Sequence, residues 1–228
     1  MDPMPDDFPP APWRLQGQMH LSAWWVPRQR LQVSLEPAFE LLTVAGRACV
    51  VTGFVDYQAG SVLTYRELFG AVSVRVRGSR RRGMSVVRMW VDSRPSLLAG
   101  RALWGMPKEL ARFSFDPAPG DAAFAGAGWD PDGGELASAR FQALASIGWR
   151  ARLPRTLPIL QVLHGRVHTL PSHLRFSPTL LRAAEWIIPA SSPLAALGVV
   201  GRRPWLSVQA RDFDWELPEA VPLEPAGP

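Results

Sequence analysis

The 228-residue chain carries 25 basic and 20 acidic residues, a net charge of +5, and is 47% hydrophobic with 10 Trp and 10 Phe. That composition excludes a disordered chain, and the length suits one domain with a sizeable core. No run reaches the ~18 apolar residues of a membrane helix, the Asp- and Pro-containing start does not read as a signal peptide, and the lone Cys49 argues against a disulfide or a thiolate metal site, so no membrane partner and a cytoplasmic setting are expected.

Residues 1–11 read as a disordered Pro- and Asp-rich tail, followed by a single domain over residues 12–218 and a second disordered tail, 219–228. Residues 18–25 alternate as a strand, with Met19, Leu21, Ala23 and Trp25 on one face, Gln18, His20 and Ser22 on the other, and Trp24 breaking the pattern. Residues 39–44 and 48–56 form a predicted hairpin across Ala45-Gly46-Arg47. The next strand, 62–69, puts Tyr65, Glu67 and Phe69 on one face, so Glu67 is either on the solvent side of an edge strand or a desolvated acid with a raised pKa.

Arg75, Arg77, Arg80, Arg81 and Arg82 surround Gly78 and Gly83 at the tip of a hairpin with arms 71–76 and 84–91. No aromatic residues interleave with them and the other arginines are scattered, so a solvated turn or subunit contact is expected and nucleic acid is not. Asp92-Ser93-Arg94-Pro95 then opens the clearest helix, which carries Leu97, Leu98, Leu103 and Trp104 at helical spacing and stops at Gly105.

Directly after that stop comes Lys108, the only lysine among the 25 basic residues. An arginine cannot surrender its proton, whereas a buried lysine amine can, and can then attack a carbonyl carbon. Gly105 and Pro107 fix a bend around it. A position past a helix C-terminus favours the protonated amine, so burial has to overcome the dipole.

Further strands are expected over 111–115 and 135–145, joined through a turn at Asp130-Pro131-Asp132-Gly133-Gly134, and in short pieces over 146–170. His164 and His168 lack a third ligand, and no metal is expected. Ser191-Ser192-Pro193 caps a short helix ending at Gly198, and 205–217 is the last strand. Many short strands with one or two short helices describe a mainly β (α+β) fold, an antiparallel sheet closed on itself.

The run Gly100-Arg101 with Gly105-Met106-Pro107-Lys108, together with Tyr65-Arg66-Glu67, resembles the acetoacetate decarboxylase family, whose Schiff-base lysine ends a Gly-Arg…Pro-Lys motif and whose Tyr-x-Glu segment carries an active-site carboxylate. The resemblance implies a closed, cone-like antiparallel barrel, usually a homo-oligomer, with Lys108 as nucleophile and Glu67 as proton donor and acceptor, acting on a small keto acid without a cofactor. It implies a substrate pocket drawing on Gln18, Thr52, Tyr65, Trp104, Met106 and Glu109. Three positions depart from the decarboxylases: Glu109 stands where they carry a second lysine, Thr52 where they carry a pocket glutamate, and Gln18 where an arginine steers the substrate carboxylate. The motif puts decarboxylation of a β-keto acid first, and the three departures weaken it in favour of the alternative, aldol condensation and dehydration through the same iminium. A barrel that only binds an apolar ligand, and an adaptor working through Arg80 to Arg82, are the other readings.

Overall fold

The central strands carry apolar residues at both odd and even positions, which lets one sheet serve two cores, one on each face. The computed structural model describes residues 8–117, 123–146, 151–152, 158–171 and 173–223. Its strands are β1 (Trp13–Pro27), β2 (Phe39–Leu41), β3 (Thr43–Val44), β4 (Arg47–Tyr57), β5 (Tyr65–Val76), β6 (Arg82–Val91), β7 (Lys108–Leu110), β8 (Arg112–Pro117), β9 (Ala123–Trp129), β10 (Glu135–Ser146), β11 (Ala151–Arg152), β12 (Ile159–Leu163), β13 (Arg166–Leu170), β14 (His173–Ile187), β15 (Leu206–Leu217) and β16 (Val221–Pro222). The helix α1 (Arg94–Trp104) lies between β6 and β7, and the second predicted helix is a 3-10 turn, Pro193–Leu197, capped by Ser192 and Gly198.

All of these strands belong to one sheet, ordered β16-β13-β12-β6-β5-β4-β1-β15-β14-β10-β9-β8. The fold is mainly β, as expected, but the expectation of a closed, wholly antiparallel barrel is corrected on both counts. The sheet is mixed, because β12 and β7 both run parallel to β6, β12 opposite Met84 and β7 opposite Met89 to Val91. It rolls from β12 round to β14 without closing, because β13 and β14 have other partners. The outer edge of β13 is taken by β16, with Thr169 opposite Val221, and β14 lies between β15 and β10. Pro171, between β13 and β14, has no N–H to offer a ladder.

Inside the roll lies one core, built from Trp13, Leu15, Met19, Val55, Met89 and Phe213 among others. The other core lies on the outer face, where β8 to β10 fold back over β1 and β4: Phe54 stacks on Trp186 with centroids 5.4 Å apart and meets Phe115 edge-on at 5.6 Å. Trp24 therefore does not break the pattern of β1. It shares the face of His20 and Ser22, and that face is buried in the outer core. The predicted 39–44 strand divides, β2 pairing with β5 and β3 with β4, because Ser73 sits at the junction, donating to Leu42 O and accepting from Cys49 N.

Two hairpin arginines serve this arrangement, Arg75 pairing with Glu40 at 2.6 Å and Arg77 donating to Pro37 O and Phe39 O. Val221 and Pro222, within the stretch expected as a tail, form β16, and Trp13 donates its indole N–H to Pro9 O. Among the described residues no helix is long and apolar enough to cross a membrane.

Candidate active site

Glu67 lies on β5 opposite Val91 of β6, and Lys108 lies on β7 opposite Met89 of β6. The two side chains thus start two strands apart, roughly 10 Å, and the lysine stem spans that gap inside the roll. Nζ ends 3.2 Å from Glu67 Oε2 and donates to Ser96 Oγ at 2.8 Å. Lys108 is 4% exposed and Glu67 3%. The other carboxylate oxygen, Oε1, accepts from Tyr57 Oη at 3.2 Å, and the Tyr65 ring centroid lies 5.0 Å from Nζ.

Helix α1 shapes the lysine's path. Ser93 caps its start, Gly105 with φ 64° ends it, and the small buried face of Ser96, Ala99 and Gly100 turns toward β7. A Cβ on Gly100 would stand 2.4 Å from Lys108 Cδ and 2.7 Å from Cε, so any larger residue there would force the stem to shift. Arg101 Nε donates to Lys108 O at 2.8 Å and fixes the backbone. The stem runs back along the helix from its C-terminal end to Ser96 in the first turn. The expected conflict with the helix dipole is therefore reversed, since the amine sits near the positive end, where the dipole opposes the ammonium form.

Burial pulls the Lys108 pKa below its ordinary value, and the adjacent Glu67 pulls against that shift. Burial also pushes both tyrosines well above the usual phenol value, so each keeps its proton. Beside the pair opens a cavity of about 460 Å³, whose wall includes Tyr57, Glu67 and Met106, with Lys108 set just behind it.

Of the six residues expected to line the substrate pocket, Met106 is in the cavity wall and Tyr65 packs beside Nζ. The other four lie elsewhere. Gln18 bonds Asp212 across β1 and β15, Thr52 accepts from Trp24 Nε1 in the outer core, and exposed Glu109 accepts from Trp90 Nε1 on that same face, away from Nζ. Trp104 is buried beneath the helix, edge-on to Trp13, its indole donating to Pro218 O. Sequence reasoning missed Ser96 and Tyr57. The first is signalled by its place four residues before Gly100 on one helical face. Rarity signals the second, because the chain has only 2 tyrosines and both adjoin this pair.

His164 sits in a turn with φ 50° and His168 on β13, and among the described residues no group of three His, Cys, Asp or Glu could hold a metal ion.

The sequence profile of the acetoacetate decarboxylase (ADC) family matches residues 2–176. No curated protein sequence matches the chain. Among solved structures, acetoacetate decarboxylase from Legionella pneumophila superposes with a TM-score of 0.73 at 18% identity, over 97% of this chain and 92% of that one. The enduracididine biosynthesis enzyme MppR, complexed with pyruvate, gives 0.71 at 18% identity over 95% and 92% of the two chains, and it has also been solved with the condensation product of pyruvate and imidazole 4-carboxaldehyde. An acetoacetate decarboxylase-like enzyme from Sphingomonas wittichii RW1 gives 0.71 at 14% identity over 96% and 94%. At these identities the likeness is one of fold.

Proposed function

Because the chain belongs to the acetoacetate decarboxylase family, we propose that it is a lyase that forms a Schiff base between Lys108 and a keto acid, most simply decarboxylating a β-keto acid. The observation that carries this reading is the pairing of the sequence's one lysine with Glu67, both side chains buried and 3.2 Å apart at the edge of an apolar cavity. Two charges in such a site have lost their hydration, and passing one proton from Nζ to Oε2 converts them to a neutral amine and a neutral acid. The amine lone pair is then available.

The amine adds to the substrate ketone, Glu67 returns its proton to the carbonyl oxygen, and water leaves to give the iminium. In a β-keto acid the carbon–carbon bond to the carboxylate breaks, its electron pair moves toward the iminium nitrogen, and CO2 departs. An apolar surround favours that step, since it turns a poorly solvated anion into a neutral molecule. The enamine takes a proton at carbon, and water hydrolyses the resulting iminium to release the ketone and the free amine. The un-ionised Tyr57 hydroxyl orients Glu67 throughout through its bond to Oε1.

A second reading uses the same iminium for carbon–carbon bond formation. It is favoured by the placement of Glu109, which stands where the decarboxylases have a second lysine and here faces Trp90, and by the likeness to MppR, solved with pyruvate and with a pyruvate condensation product. The enamine of a keto acid would add to an aldehyde, and loss of water would follow.

The test is borohydride reduction in the presence of acetoacetate, of pyruvate and of a longer β-keto acid, with intact mass measured for the protein and for Lys108→Ala. An adduct confined to the unmutated chain supports iminium chemistry, and CO2 release against a condensation product separates the two readings. No adduct with any carbonyl between pH 5 and 9 would leave a fold that only binds an apolar ligand in this cavity.

A further inference from the structure

The cavity beside Glu67 is large for the simplest substrate of the proposed reaction. At about 30 Å³ for each water-sized group, its volume of about 460 Å³ holds on the order of fifteen non-hydrogen atoms, and acetoacetate would fill about half. Its lining is also unsuited to a second charge. Apart from Glu67 and Tyr57 at the lysine end, the polar side chains in the wall are Thr169 and His173, joined by the indole of Trp215, and among the described residues no arginine or lysine lines it. The rest is aliphatic, aromatic, proline or methionine.

The polar and apolar parts of this wall are separated along the fold. Glu67 and Tyr57 come from β5 and β4, next to Lys108, whereas Ile159, Leu170 and Leu174 come from β12, β13 and β14 at the unclosed seam of the roll. A ligand with its carbonyl at Lys108 thus has an apolar channel leading from it toward the seam. Sites of this size and lining bind ligands that bury most of their surface against apolar walls. Met19, Met89 and Met106, also in the wall, can adjust to flexible chains.

From this we infer that the substrate is a keto acid carrying an apolar tail of roughly four to eight carbons beyond the acetoacetate skeleton, with the ketone at Lys108 and the tail along Ile159, Leu170 and Leu174. The inference rests on the Lys108 chemistry proposed above and adds the class of compound it acts on.

The experiment is a chain-length series of straight β-keto acids from four to sixteen carbons, assayed on the full chain for CO2 release and, in parallel, for the borohydride adduct. Each buried methylene contributes about 0.8 kcal/mol, or close to fourfold, and imperfect burial reduces this. The expected result is a rise in kcat/KM of at least tenfold between four and eight carbons, followed by a fall once the tail exceeds the cavity. Leu174→Phe, which fills the seam end, should lower the ratio of the ten-carbon to the four-carbon rate at least tenfold. Val86→Phe, on the wall formed by β6, provides the same test if the first variant fails to fold. Adducts with every acid but a kcat/KM that is flat or falls from four carbons onward would overturn the apolar-tail inference and leave the Schiff-base reading standing. No adduct and no turnover at any length would overturn both.

Discussion

Removing the carboxylate of Glu67 separates its two effects on Lys108. Burial lowers the pKa of the amine and Glu67 holds it up, so in Glu67→Gln the raising influence goes and the amine titrates at still lower pH. Borohydride-trapped adduct, followed against pH, should show its midpoint move to lower pH, while turnover falls by two to four orders of magnitude because no group returns the proton. A midpoint that stays in place or moves upward would mean that Glu67 does not hold up the charged amine. A second buried residue acts on stability alone. His20 stacks on Phe124 with ring centroids 3.9 Å apart, and burial pushes its pKa from 6.5 down to about 3. The folded chain therefore binds fewer protons than the unfolded chain between those two values. This contribution is fully present above pH 6.5 and is lost as pH falls toward 3. Between pH 7 and 4.5 the loss is on the order of 2 kcal/mol. His20→Phe keeps the stack and should flatten this part of the pH profile in denaturant melts; an unchanged slope would assign the acid sensitivity to other groups.

The helix was the element most legible in the sequence, because its signals are local. Ser93, Pro95 and Gly105 each act on the neighbouring backbone, and the observed bounds follow them. What α1 does for the site was less legible, since the clearance at Gly100 and the bond from Nζ to Ser96 depend on where β7 returns under the helix. The two ends of α1 accordingly predict different outcomes. Ser93→Ala removes one bond to the Ser96 amide and should cost about 1 kcal/mol, lowering Tm with the adduct retained. Gly105→Ala puts a side chain at φ 64° and a Cβ 2.3 Å from Val162 O. It should cost upward of about 2 kcal/mol and also move the bend that carries Lys108, so that the adduct yield falls even at temperatures where the variant stays folded. Retention of full yield in folded Gly105→Ala would show that β7, not the helix stop, places the lysine.

At the scale of the whole molecule, the alternation of Tyr65, Glu67 and Phe69 was readable, whereas placing Glu67 beside the lone lysine rested on the family resemblance and not on the pattern of the strand. Which face of β1 or β4 met the cavity was not. Gln18 and Thr52 lie on strands whose two faces are both substantially buried, and only the fold-back of β8 to β10 decides that their side covers the outer core. The open seam was equally hidden, because it results from β16, a two-residue strand in a segment whose composition reads as a tail. That strand makes a prediction of its own. β13 supplies Thr169 and Leu170 to the cavity and is held by β12 on one side and by Val221, Pro222 and the bond from Leu223 N to Val167 O on the other. Deleting residues 219–228 turns β13 into a free edge, while β4 and β5 keep both neighbours. Amide hydrogen exchange across residues 166–170 should then quicken at least tenfold with exchange in β4 and β5 unchanged, and the loosened seam should weaken discrimination between long and short keto acids before it affects the reaction with acetoacetate. If β13 exchanges at the same rate in the shortened chain, its order comes from β12 and the core alone, and β16 has no part in shaping the cavity.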